Sequence, residues 1–179
     1  MNALVPFSLP IQGLRDGIHE FQFEINQDFF SCFEGAPFSD GQIEMDLVMD
    51  KRPSLIVLEF DFSGTVRTEC DRCLAEIDLP IEGSQRLMVK YSEEGEETSD
   101  ADVWYIHPEA EELNVAQFAY EYVVLAVPMV RVYDCQSEDP PVCDLEMLDF
   151  LEKQQEGDDA GKSSDNPAWN ELKKWKDEH

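Results

Sequence analysis

Two runs of alternating residues restrict this chain more than anything else in it. Ile43, Met45, Leu47 and Met49 alternate with Glu44, Asp46 and Val48. After Asp50-Lys51-Arg52-Pro53, which reads as a turn, Ile56, Leu58, Phe60 and Phe62 share one face of a second run. Successive side chains of a strand point to opposite faces, so each run buries one face and gives the other to water. Leu55 and Val57 lie on the second face together with Glu59 and Asp61, so that strand changes character part-way. Phe21, Phe23 and Ile25 alternate with Gln22 and Glu24 in an earlier strand, and Leu87, Val89 and Tyr91 do the same later. Gly64 reads as a bulge or bend in the second long strand. Strands joined by short turns predict an antiparallel sheet that is strongly curved and partly barrel-like.

One helix stands out against this pattern. Asn114 is placed as its N-cap, Gln117 completes a capping box, and Leu113 with Phe118 form a hydrophobic staple. Val115, Phe118, Ala119, Tyr122 and Ala126 make an apolar stripe. From Tyr122 onward the run is apolar all round, so its end is expected to be buried before Pro128 stops it. Met129 to Tyr133 reads as extended chain. Leu145, Leu148, Phe150 and Leu151 suggest a short helix. The fold class is therefore α+β, with one main buried helix and short C-terminal helices. Phe29, Phe30, Cys32 and Phe33 form an apolar cluster, and Cys32 reads as core. A core domain over residues 1–155 carries an acidic loop at 92–102. Residues 156–165 have the composition of a flexible linker. Residues 166–179 form a tethered amphipathic helix, opened by Asn166 and Pro167, with Trp169, Leu172 and Trp175 on one face.

Chemistry concentrates at Cys70-Asp71-Arg72-Cys73. Two cysteines separated by two residues can turn both sulfurs toward one tetrahedral ion. Val66, Thr68 and Cys70 share a face on the way in, and Ile77, Leu79 and Ile81 on the way out, so the pair sits at a hairpin tip, as in a zinc knuckle. A thioredoxin-type pair would open a helix, and Pro80 opposes one here. Cys135 and Cys143 supply two further thiols. The metal reading is a structural zinc held by Cys70, Cys73, Cys135 and Cys143. The alternative is two reduced, partly buried thiol pairs.

Charge excludes much else. Forty acids against thirteen lysines and arginines give a net charge of −27 over 179 residues. Such a chain opposes a polyanion, because phosphate binding needs cations to displace counterions. The N-terminus has neither a basic region nor a long apolar run, so no secretory signal is expected. No apolar run is long enough to span a bilayer. Five cysteines, an odd number, point to a reducing compartment and a cytoplasmic location. No phosphate loop, His-Glu-x-x-His or Gly-x-Ser-x-Gly is present, and His19, His107 and His179 are scattered, so no catalytic residue is assigned.

Four features in order resemble the YceD family of large-subunit ribosomal RNA accumulation proteins. They are the strand-borne Cys70, Arg72 and Cys73; Glu112-Leu113-Asn114 opening a helix that closes on Val123-Val124-Leu125-Ala126-Val127-Pro128; the run from Pro128 through Arg131 and Tyr133 toward a cysteine; and the closing Asn166-Pro167-Ala168-Trp169-Asn170-Glu171-Leu172-Lys173. The resemblance implies a cytosolic bacterial factor needed for 23S ribosomal RNA to accumulate, and hence for large-subunit assembly; with no catalytic motif in the chain, no enzyme is expected. Its expected partner is a basic ribosomal protein or an assembly intermediate, with Arg72, Trp169, Leu172, Lys173, Lys174 and Trp175 as binding residues and RNA contact weak and confined to the tail. Two alternatives are a direct RNA-binding protein with a zinc knuckle and a thiol redox protein using Cys70 and Cys73.

Overall fold

A computed structural model describes residues 3–38, 40–93, 103–133 and 142–160. Three long strands dominate it: β3 (Asp40–Arg52), β4 (Leu55–Glu69) and β5 (Glu76–Tyr91). With β2 (Gly17–Ile25) and β6 (Val103–Ile106) they form one sheet in the order β2-β3-β4-β5-β6. The sheet stays open, with β2 and β6 at its edges, and it is antiparallel except at one end, where β6 runs parallel to β5. The α+β fold expected from the sequence is present, with a five-stranded sheet that is antiparallel in every pairing but this one and does not close into a barrel. A second, two-stranded sheet pairs β1 (Ser8–Pro10) with β7 (Glu112–Asn114).

The alternation read from the sequence is the burial pattern. Ile43, Met45, Leu47, Met49, Ile56, Leu58, Phe60 and Phe62 are all buried on one face. Phe7, Phe29 and Phe30 close over that face, with Phe7 stacked on Phe23 at 4.6 Å and Phe29 set edge-on to Phe30 at 5.7 Å. Asn26 caps the single turn of α1 (Gln27–Phe30), accepting from the N–H groups of Asp28 and Phe29. That turn sends Phe29 and Phe30 inward but leaves Cys32 exposed, so Cys32 is not core.

Gly64 makes no bulge. The β3–β4 register runs without a skip from Asp40↔Arg67 to Arg52↔Leu55. What Gly64 provides is closeness: a Cβ there would lie 2.1 Å from the Gln42 carbonyl oxygen and 2.6 Å from Ile43 Cα. The turn expected at Asp50 to Pro53 is also tighter, because β3 continues through Arg52 and β4 resumes at Leu55.

Helix α2 (Ala116–Ala126) buries Ala116, Ala119 and Val123. Its start differs in detail from the capping box. Asn114 accepts from the Ala116 N–H, while Gln117 reaches forward to Glu121. Phe118 meets the Trp104 ring edge-to-face at 5.2 Å. Val127 is extended before Pro128, which ends the helix as expected. The all-apolar end is not buried all round, since Leu125 is 75% exposed. Beyond it the chain bends at Met129 and Val130 instead of running extended. Helix α3 (Leu145–Ala160) is longer than the short helix expected and takes in the first residues of the stretch read as a linker. Residues 161–165, the closing segment 166–179 and most of the acidic loop lie outside the described residues.

Candidate functional site

The tip of the β4–β5 hairpin is built around Cys70 and Cys73, both fully buried. The Cys70 N–H donates to the Ala75 carbonyl, and its own carbonyl accepts from the Leu74 N–H, each at 2.9 Å. Closing the loop this way puts Leu74 at φ 60°, the left-handed region that disfavours a side chain. Burial pushes the Cys70 thiol pKa up. The N–H groups of Tyr133, Arg72 and Cys73, together with the Cys73 side chain, outweigh that and hold it below the ordinary thiol range.

A second segment is clamped to the hairpin by Arg131. The Asp71 N–H donates to the Arg131 carbonyl at 2.8 Å, and the Arg131 N–H donates to Asp71 Oδ2 at 2.7 Å. The guanidinium adds one bond to Asp71 Oδ1 and one to the buried Thr68 hydroxyl, both at 2.9 Å. The backbone N–H and guanidinium of Arg131 hold the Asp71 carboxyl below the usual carboxylate range. This docking is what delivers the Tyr133 N–H to Cys70. Arg131 and Thr68 were not singled out as site residues. Their contact spans 63 residues of sequence, and no local signal announces it.

Arg72, expected to bind a partner, is exposed and extends a guanidinium nitrogen to 4.0 Å from Cys143 Sγ. Cys143 is therefore brought to the knuckle end of the molecule, in the same apolar cluster as Cys70 and Cys73, and it is disulfide-bonded here. Cys135 lies outside the described residues, as do Trp169, Leu172, Lys173, Lys174 and Trp175. Among the described residues no three His, Cys, Asp or Glu side chains gather closely enough to hold a metal ion. Of the four cysteines expected to hold a metal, Cys70 and Cys73 are the two that stand together as free thiols among the described residues.

The outer face of the sheet carries a field of acidic side chains. Strand register lines up Glu24, Glu44, Ser63 and Glu82 in one row and Gln22, Asp46, Asp61 and Ser84 in the next. A third row holds Glu20, Val48, Glu59 and Arg86. All seven carboxylates are exposed, and the one guanidinium among them pairs with Glu59 at 3.7 Å. Glu24 stands directly opposite Glu44, and Asp46 opposite Asp61. Like charges in facing positions destabilise a sheet. Two open hollows lie on this face, one lined by Glu24, Gln42 and Glu44 and one by Glu20, Gln22 and Asp46.

Among the described residues no helix is long and apolar enough to cross a membrane. No curated protein and no solved structure gives a match to the chain. A family model does match, over residues 58–176, and its description is Large ribosomal RNA subunit accumulation protein YceD. The matched stretch holds the knuckle, the Arg131 segment and α3, and it covers well over half of the 179 residues. The chain belongs to the YceD family of large ribosomal RNA subunit accumulation proteins.

Proposed function

We propose that this protein is a non-enzymatic, cytoplasmic factor that supports 23S ribosomal RNA accumulation by binding a basic component of the large ribosomal subunit on the outer face of its sheet. The observation that carries this is the three-row field of seven carboxylates and one guanidinium on that face. Its facing like charges cost stability, a cost that a cationic ligand would relieve. A net charge of −27 attracts a Lys- and Arg-rich protein, speeds the encounter, and opposes naked RNA. The factor would shield the basic protein's charge until ribosomal RNA displaces it. Lys173, Lys174 and Lys176 leave room for a weak, tail-dependent contact with RNA. A tagged pull-down from a bacterial lysate, with and without RNase, tests the reading. RNase-resistant capture of a basic large-subunit protein is expected, and capture that vanishes with RNase treatment would favour direct RNA binding.

We also propose that Cys70 and Cys73 form half of a structural zinc site that Cys143 and Cys135 complete. The placement of both sulfurs at one buried hairpin tip, with N–H groups directed at the Cys70 sulfur, supports it, because such groups stabilise the deprotonated sulfur that a metal takes. Two residues of chain span at most about 7 Å, so Cys135 is within reach of the position that Tyr133 holds. Zinc binding requires Cys143 as a reduced thiolate in place of its disulfide. Elemental analysis of protein purified under reducing conditions should find one zinc per chain. A content near zero would leave Cys70 and Cys73 as a reduced pair without metal, next to the disulfide-bonded Cys143.

A further inference from the structure

The knuckle end of the molecule exposes apolar side chains that the acidic-face reading does not use. Leu74 is 60% exposed, Met129 99%, Val130 68%, Val132 43%, Val142 44% and Leu145 61%. Two contacts draw them together. The Asp71–Arg131 clamp sets Arg131 against the loop that carries Leu74, with Met129, Val130 and Val132 beside it in the chain, and the approach of Arg72 to Cys143 brings Val142 and Leu145 to the same end. Isolated surface apolar residues need no explanation, but a contiguous group marks a docking surface.

We infer that this patch receives the chain's own C-terminal segment, through Trp169, Leu172 and Trp175. Chain length permits it. Helix α3, 16 residues from Leu145, carries the backbone about 24 Å from the patch. Residues 161–168, extended, return it by up to about 28 Å. Sequence complements it: on a helix the three side chains fall at i, i+3 and i+6, one apolar face matched to one apolar surface. Tethering favours this occupant over a free one, because a short linker keeps the segment at a local concentration of roughly millimolar. The matched family region contains both the patch and the segment up to Lys176. The inference is independent of what binds the acidic face.

Tryptophan fluorescence of the full chain tests it in a Trp104→Phe background, where only Trp169 and Trp175 emit. Blue-shifted emission with reduced acrylamide quenching is expected at all protein concentrations. Met129→Glu with Val130→Glu should shift the emission to the red. Both positions are exposed, so an unchanged circular dichroism spectrum is expected for that variant. Val132→Cys with Leu172→Cys, in a chain lacking the native Cys32, Cys135 and Cys143 and with Cys70 and Cys73 buried, provides a second readout through an intramolecular bifunctional thiol cross-link. Solvent-exposed emission before the patch is altered would overturn the inference. So would emission indifferent to Met129→Glu with Val130→Glu, or a blue shift that appears only as concentration rises, which would assign the patch to a second copy of the chain.

Discussion

Replacing Arg131 by alanine should cost about 2 kcal/mol. The substitution removes two side-chain hydrogen bonds and leaves in place the two that the Arg131 backbone makes, one from the Asp71 N–H and one to the Asp71 carboxylate. The bond to Asp71 is charge-assisted, a class worth about 1.5–3 kcal/mol when protected. The Arg131 and Asp71 side chains are 34% and 35% exposed, so solvent screening reduces that share toward about 1 kcal/mol. The bond to Thr68, which is buried, adds roughly 1 kcal/mol. For a chain of this size each kcal/mol moves Tm by about 2–4 °C, so thermal unfolding should shift by about 4–8 °C. Arg131→Lys should recover about half of the loss, since an ammonium keeps the charge but not the two-armed geometry. A double-mutant cycle with Asp71→Asn should give a coupling near ~1 kcal/mol. Cys70 is fully buried beneath this segment, so loosening the clamp should open access to its sulfur and speed alkylation of that thiol at fixed pH. A Tm within a degree of the parent protein and unchanged Cys70 reactivity would refute the clamp.

Four further outcomes follow from single contacts. Leu74→Gly should raise stability by about 0.5–1 kcal/mol in denaturant titrations, because the left-handed residue at φ 60° loses its side-chain penalty. Gly64→Ala should lower it by about 3 kcal/mol or more, because the new methyl meets backbone at 2.1 Å. Gly83→Ala should cost less, since the nearest atoms there belong to the Phe62 ring, which can shift. Asp61→Asn should raise Tm slightly, by the equivalent of about 0.2–1 kcal/mol, by removing a facing like charge, while weakening the basic partner's binding.

The long strands were legible because one face of each is buried, which prints a period of two into the sequence: Met45, Leu47 and Met49 against Glu44 and Asp46. The hairpin at Cys70 and Cys73 was legible for the same reason, since both flanks alternate. Gly64 was not, because a bulge and a close backbone approach both ask for glycine and only the register distinguishes them. Cys32 sits in an apolar run, but α1 lasts one turn and buries only Phe29 and Phe30. Leu125 lies in a run apolar all round, and helix rotation alone decides which of its residues face water. The parallel pairing of β6 rests on four residues that carry no directional signal. The acidic rows became visible only when register set residues of four strands side by side, since the sequence announces the charge but not its alignment.

The central claim is that the acidic sheet face binds a cationic protein in preference to RNA. Its most direct test is equilibrium binding of the purified full chain, at physiological salt, to basic large-subunit ribosomal proteins and to 23S ribosomal RNA fragments. A variant carrying Glu44→Gln, Asp46→Asn and Asp61→Asn is measured alongside. Salt-sensitive binding of at least one basic ribosomal protein is expected, weakened about tenfold or more in the variant, a loss of about 1.4 kcal/mol. RNA binding should be weak and insensitive to those three substitutions. Tight binding of RNA with no affinity for any basic ribosomal protein, or protein binding that the neutralised face leaves unchanged, would contradict the account.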